Sequence, residues 1–284
     1  MKPMTARTFS PNIKGTGLGL RACHYAHILK DLPDIPWFEV VTENYMVSGG
    51  MVLERLAQIR AHYPIVFHGV GLSIGGTTPL NAAYLSQLKG MVDRFEPAYV
   101  SDHLCWTSLD GQQSHELLPL PYTGEAIGHV VKRIRQVQDF LGQQILIENI
   151  SNYLTYVDST LPEWEFLNAI AEQADCFILL DINNIYVNAY NHRFNAMQYL
   201  HAINPERVKQ YHLAGFLDCG THLIDTHGAK ISKPVLQLYE TALQQIGNHP
   251  TCIEWDNNIP EFSILLREQQ KINSVVASVF CEAI

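Results

Sequence analysis

Eight short β-favouring runs, near residues 15–20, 37–43, 64–70, 98–104, 144–150, 176–182, 208–214 and 251–257, alternate along this chain with eight stretches of helical periodicity. The helical stretches lie near 21–30, 51–62, 79–93, 123–141, 163–174, 195–203, 233–247 and 261–279. The clearest is 124–141, where Ile127, Val130, Val131, Ile134, Val137, Phe140 and Leu141 recur at three- and four-residue steps and so lay an apolar stripe along one helix face. Strands that alternate with helices are joined in parallel by helical crossovers, and eight of each is the count of a closed (β/α)8 barrel of the α/β class. A chain of 284 residues is the right size for one such barrel, so residues 1–284 are expected to form a single TIM-barrel domain. The glycines of Gly15-Thr16-Gly17-Leu18-Gly19 have the wrong spacing for a dinucleotide fingerprint and read as room for close packing of the first strand.

Six of the runs end on ionisable residues. Ile65-Val66-Phe67 leads into His68, Ala98-Tyr99-Val100 into Asp102 and His103, and Ile145-Leu146-Ile147 into Glu148; later runs lead into Asp181, His212 and Glu254. In a barrel these ends gather at one mouth, where active sites form. A glutamate at the end of an apolar strand, such as Glu148, leaves water only if a cation, a metal or dense hydrogen bonding stabilises its charge. Asp225 and His227, alternate residues of one segment, can turn both side chains toward one ion. Imidazole with carboxylate and no cysteine suits iron, manganese or zinc. Glu148, Asp181, Asp225 and Glu254 carry four negative charges, which match two divalent ions, and a third would need a further anion. Glu148 and Asp102 are the candidates for a direct part in catalysis, with His103 facing inward and Asp102 behind it. Glu43 and Asn183 are candidates for supporting positions, Glu43 as a hydrogen-bond acceptor for a ligating histidine.

The formal charge of -9 gives no long-range attraction to a phosphate backbone or an anionic membrane. No run approaches a membrane span, and the start, Met1 to Lys14, lacks the apolar core of a secretion signal, so a cytoplasmic protein is expected. The six cysteines are dispersed without a Cys-x-x-Cys pair, which argues against a disulfide framework or a zinc-thiolate site.

The phrases that hold these residues carry a resemblance over nearly the whole chain. His68-Gly69-Val70-Gly71-Leu72-Ser73, Ser101-Asp102-His103-Leu104, Leu118-Pro119-Leu120-Pro121-Tyr122-Thr123, Glu148-Asn149-Ile150-Ser151, Asp181-Ile182-Asn183-Asn184, His212-Leu213-Ala214-Gly215, Asp225-Thr226-His227-Gly228 and Glu254-Trp255-Asp256 follow in order. Together they resemble the multinuclear non-haem iron-dependent oxidative enzymes typified by the methanobactin-biosynthesis oxidase. The resemblance implies a xylose isomerase-like barrel holding two or three iron ions, with dioxygen as co-substrate. It implies oxidation of cysteine in a ribosomally made precursor peptide, presented by a small partner protein. His68, His103 and Glu148 resemble the ligands of one iron, with Glu148 bridging. Asp181, His212 and Glu254 resemble those of the second, and Asp225 and His227 those of the second or a third. Phe216 and Arg193 stand where relatives carry histidine and glycine; neither is a ligand, and both bear on substrate choice. Tyr122, Asn188, His192 and Trp255 are expected beside the mouth, as surface for the peptide.

Two other functions compete. A sugar isomerase or phosphoester hydrolase using zinc, manganese or magnesium could be built on the same barrel, because fold does not decide chemistry. A non-catalytic metal store or peptide-docking module needs fewer convergent ligands than this chain carries.

Overall fold

A computed structural model describes residues 13–109 and 112–281. Most of the N-terminal stretch read above for a secretion signal lies outside the described residues. In chain order the elements are β1 (Thr16–Gly19), α1 (Tyr25–Asp31), β2 (Phe38–Val41), α2 (Met51–Arg60), β3 (Ile65–Gly69), α3 (Ala82–Phe95), β4 (Val100–His103), β5 (Trp106–Leu109), β6 (Gln112–Leu118), α4 (Gly124–Leu141), β7 (Leu146–Glu148), α5 (Glu163–Ala174), β8 (Phe177–Asp181), α6 (Ile182–His192), α7 (Ala196–Ala202), β9 (Val208–Leu213), β10 (Leu217–Asp218), β11 (Leu223–Ile224), α8 (Lys233–Gln245), β12 (Thr251–Ile253) and α9 (Phe262–Cys281).

Eight of the strands close a barrel in the order β1-β2-β3-β4-β7-β8-β9-β12, with β12 returning to β1 and every pairing parallel. These are the eight runs read from the sequence. The antiparallel pairs β5–β6 and β10–β11 are additions in the loops after β4 and β9, which sequence periodicity did not reveal. Among the described residues no helix is long and apolar enough to cross a membrane.

Local chemistry fixes the helix ends. Thr123 caps α4 by accepting from the Ala126 amide, and Gly142 closes it in a left-handed conformation (φ 75°), where glycine carries no Cβ penalty. The α4 stripe of Ile127, Val130, Val131, Ile134, Val137 and Leu141 is buried, whereas Phe140 is 45% exposed and lies off it. Arg133 on the same helix donates to the carbonyls of Ser73, Ile74 and Thr78 and pins the loop after β3. At the barrel floor a Cβ on Gly17 would stand 2.4 Å from the Trp37 ring, so this glycine of β1 makes room for a buried tryptophan.

One helix was not anticipated. The segment after Asp181 reads as a strand end, yet α6 begins at Ile182, because the Asp181 carboxylate accepts from the Asn184 amide at 2.6 Å and caps it. Asn183 therefore lies in the first turn of a helix, and His192 is the last residue of that helix.

Candidate metal centre

Parallel register brings the strand ends together: Ser101 of β4 lies opposite His68 of β3, His103 opposite Glu148 of β7, and Asp181 of β8 opposite His212 of β9. The His68 and His103 Nε2 atoms each stand 3.1 Å from Glu148 Oε2. The other Glu148 oxygen, Oε1, is 3.0 Å from His212 Nδ1, which is also 3.0 Å from Glu254 Oε2. Donor atoms of His68, His103 and Glu148 lie within 4.8 Å of one another, as do those of Glu148, Asp181, His212 and Glu254. One glutamate thus belongs to two donor groups, one on each of its oxygens.

Hydrogen bonding around the rings sets which nitrogens are free to bind. His103 Nδ1 donates to the Gly69 carbonyl at 3.0 Å. His68 Nδ1 donates to Ser101 Oγ at 2.8 Å, since the Ser101 hydroxyl itself donates to the Phe67 carbonyl. In neutral rings both Nε2 atoms then carry lone pairs, the form in which imidazole binds metals. Glu148 Oε2, between them, makes no hydrogen bond despite being buried, and neither does Asp181 Oδ2. Buried polar atoms without partners are rare and need an explanation; convergent imidazole nitrogens and unpartnered carboxylate oxygens fit divalent cations.

Electrostatics agree. Burial works to lower His68, but the Glu148 charge lifts it to about 9; for His212 the charges of Glu254, Glu39 and Glu148 likewise overcome burial and raise it well above its ordinary value. His103 is lowered, chiefly by burial. Burial would raise Glu148 and Glu254, yet the histidines around them pull both below the usual carboxylate range. Asp181 is raised by burial and then by Glu148. The mouth calls for positive charge, and metal ions would displace the protons that otherwise supply it.

His227 Nε2 lies 2.7 Å from Asp225 Oδ1, without hydrogen-bond alignment, and its Nδ1 lies 3.2 Å from both Glu254 Oε2 and Asp256 Oδ2. His227, Glu254 and Asp256 form a further donor group at the Nδ1 side of the ring, while Asp225 stands at the Nε2 side. Asp225 is occupied by Ser151 Oγ at 2.9 Å and Asn183 Nδ2 at 2.8 Å, which places Asn183 in a supporting role. Asp256 is held by the Arg21 guanidinium.

Other candidates sit elsewhere than expected. Among the described residues Glu43 meets no histidine: its Oε1 accepts from the Val70 amide at 2.8 Å and the Tyr84 hydroxyl at 2.5 Å. The carboxylate that orients a ligating histidine is Glu39, 3.0 Å from His212 Nε2, with Gln210 alongside at 2.5 Å. A glutamate in the middle of Phe38-Glu39-Val40-Val41 was the available signal, since a charge inside an apolar strand demands a partner. Asp102 is turned away from the donor cluster and accepts from the Leu72 and His103 amides. Burial, reinforced by Glu43, pushes it up to about 7. Through these bonds it holds the start of the loop after β3 and the backbone of His103.

Asn188 is wholly buried and clamps the loop after β7: its Nδ2 donates to the Ile150 carbonyl and its Oδ1 accepts from the Asn152 amide. Trp255 is buried in the core, and its carbonyl accepts from Arg21. Tyr122 and His192 line a side pocket with Asn152. Arg193 ends α6 at φ 59°, a left-handed position that glycine would take without a Cβ penalty. Phe216 stacks on Tyr186 with ring centroids 5.4 Å apart. The mouth opens into a cavity of about 220 Å³, bounded by His68, His103, His227, Glu254, Leu117 and Ser151 among others.

The chain is 51% identical to a UPF0276 protein of Acaryochloris marina over 262 residues, covering 92% of this chain and 95% of that one. Among solved structures it is similar to a D-tagatose 3-epimerase-like protein (TM-score 0.64, 14% identity, 95% of this chain and 100% of that one). It is also similar to an L-ribulose 3-epimerase (TM-score 0.63, 12% identity, 96% and 97%). At such identities the structural likeness establishes the xylose isomerase-like TIM-barrel fold and nothing about substrate. Residues 15–277 match the family described as RiPP precursor modification enzyme MbnB/TglH/ChrH, and the chain belongs to that family of enzymes acting on ribosomally made precursor peptides.

Proposed function

We propose that this protein is an oxygen-dependent iron enzyme that oxidises a cysteine of a ribosomally synthesised peptide, delivered by a small partner protein. Membership of a precursor-modifying family supports the peptide substrate. The observation that carries the metal reading is Glu148, which offers Oε2 to His68 and His103 and Oε1 to the His212 group from a position 1% exposed.

His68, His103 and Glu148 would hold one iron, and Glu148, Asp181, His212 and Glu254 the second. His227, Glu254 and Asp256 provide for a third. When bound, the iron would supply a Lewis-acidic site for the cysteine thiolate and the redox capacity to use dioxygen. The remaining work falls to the chain. Glu39 accepts from His212 Nε2 and so keeps Nδ1 aimed at Glu148 and Glu254. The Gly69 carbonyl and Ser101 fix the other two rings in the same way. Leu117, Val70 and Ile150 give the mouth apolar walls that limit water beside the thiolate, while Ser151, Thr226 and Asn257 offer hydrogen-bonding groups for a peptide backbone.

The test has two parts. Protein prepared anaerobically without chelator is expected to hold two or more irons per chain; stoichiometric zinc with no iron would favour the hydrolase reading, with manganese or zinc in the same ligands. Iron-loaded protein incubated aerobically with precursor and partner is expected to change the precursor mass, and Cys→Ser in the peptide to abolish the change while preserving docking. An unchanged mass with iron and oxygen present would overturn the assignment.

A further inference from the structure

A second cavity, of about 290 Å³, lies beside the mouth and is lined by Tyr122, Tyr156, Trp164, Phe194 and Glu163 among others. Its walls are aromatic, with Trp164 and Phe194 ring centroids 5.8 Å apart, and aromatic faces attract cations. Among the described residues Glu163, at the start of α5 and 8% exposed, supplies the cavity's only carboxyl group; no lysine or arginine lines it, His192 at its edge donates to the Asn152 carbonyl, and the neighbouring Arg193 is exposed and outside it. The Glu163 carboxyl accepts from the Tyr199 hydroxyl at 3.1 Å and from Asn188 Nδ2 at 3.2 Å, with Tyr122 as a further donor. All these partners are neutral. Burial pushes Glu163 up to about 7, the state of a carboxyl that lacks a counter-charge.

We propose that this cavity is a subsite for a basic side chain, lysine or arginine, of the peptide substrate. The inference rests on the peptide-modifying reading above. The pocket and the mouth are joined by one stretch of chain: Ile150 and Ser151 line the mouth, Asn152 lines the pocket, and Asn188 holds this stretch at both ends through its bonds to Ile150 and Asn152. An extended chain advances about 3.3–3.6 Å per residue. With its cysteine at the mouth, the substrate of this proposal places a residue a few positions away in the pocket. The aromatic walls take the alkyl stem and Glu163 takes the charge, a division that suits lysine and arginine and no other common side chain.

The experiment needs neither turnover nor metal, so its failure is distinct from failure of the iron reading. Blocked lysine (N-acetyl-lysine N-methylamide) and its uncharged analogue N-acetyl-norleucine N-methylamide are titrated into the full chain while the Trp164 indole resonance is followed. Lysine is expected to bind at least tenfold more tightly than norleucine, and Glu163→Gln, which preserves shape, to erase the difference while leaving metal content unchanged. Leu154→Lys, at an exposed position on the pocket rim, tethers a competing ammonium and is expected to weaken the blocked lysine severalfold. Equal binding of the two probes, no binding of either, or an undiminished preference in Glu163→Gln would overturn the proposal.

Discussion

Glu148 and Glu163 are both glutamates withdrawn from water, 1% and 8% exposed, and they end in opposite states. Burial alone would raise both. At the mouth, His212, His103 and His68 overcome burial and hold Glu148 below the usual carboxylate range. In the side pocket the donors Tyr199, Asn188 and Tyr122 are neutral, and Glu163 rises to about 7. Hydrogen bonds from neutral groups offset only part of the desolvation that an adjacent cation can cancel. The charge of a buried carboxyl is therefore set by what faces it, and the two sites ask for different cations: compact metal ions at one, an alkyl cation at the other.

The most severe way to break this contrast is Glu148→Ala, which removes a donor from two groups at once. Near-complete loss of both ions is expected by elemental analysis, against two or more in the parent; retention of both would end the bridging reading. Next in size is the pH dependence of Glu163. Its native pKa near 7 exceeds the ordinary 4.5, so between those values the folded chain holds a proton that the unfolded chain has lost. Stability falls as pH rises through that window, and the full deficit is present above pH 7. Glu163→Gln removes it, so the variant should gain on the parent between pH 5 and pH 8 by up to about 3 kcal/mol in denaturant unfolding. A difference that stays constant with pH would contradict the raised pKa. Smaller again is Glu39→Gln, where His212 loses its charged acceptor: about a 10- to 100-fold loss in affinity for the second ion is expected in metal competition, with the His68–His103 ion held.

Much of this was legible in the residues, and the exceptions share a cause. All eight barrel strands and the mouth could be read because apolar runs ending in His, Asp or Glu depend only on local pattern. Helix α6 could not, because Asp181 serves as a strand-end carboxylate and as a helix cap, and the sequence does not separate the uses. Glu39 was passed over for Glu43 because side chains at the middle of a strand and at its end face different layers of the barrel. Asp225 and Asp256 stand at opposite nitrogens of His227, and Asp256, distant in sequence, reaches that ring only through the fold. The side pocket is assembled from loops and helix ends distant in sequence, a tertiary arrangement that no periodicity encodes.

The finest probe of the contrast is Tyr122→Phe. Asn152 Nδ2 donates to the Tyr122 hydroxyl at 3.3 Å, which leaves the Tyr122 proton directed at Glu163. Deleting one oxygen removes a donor that favours the ionised carboxylate, so Glu163 should titrate at still higher pH, as expected of a carboxyl losing a hydrogen bond to its charged form. The cost at pH 8 is expected to be about 1 kcal/mol, the scale of one net hydrogen bond, and to shrink at pH 5, where Glu163 is protonated in the native state. Metal content should not change, because Tyr122 touches none of the mouth donors. The measurement is the midpoint of the stability–pH profile relative to the parent, each corrected by the matching Glu163→Gln background. A midpoint that moves to lower pH would mean that Tyr122 accepts from a protonated Glu163 rather than donating to it, and the nest would then be built around a neutral acid instead of waiting for a cation.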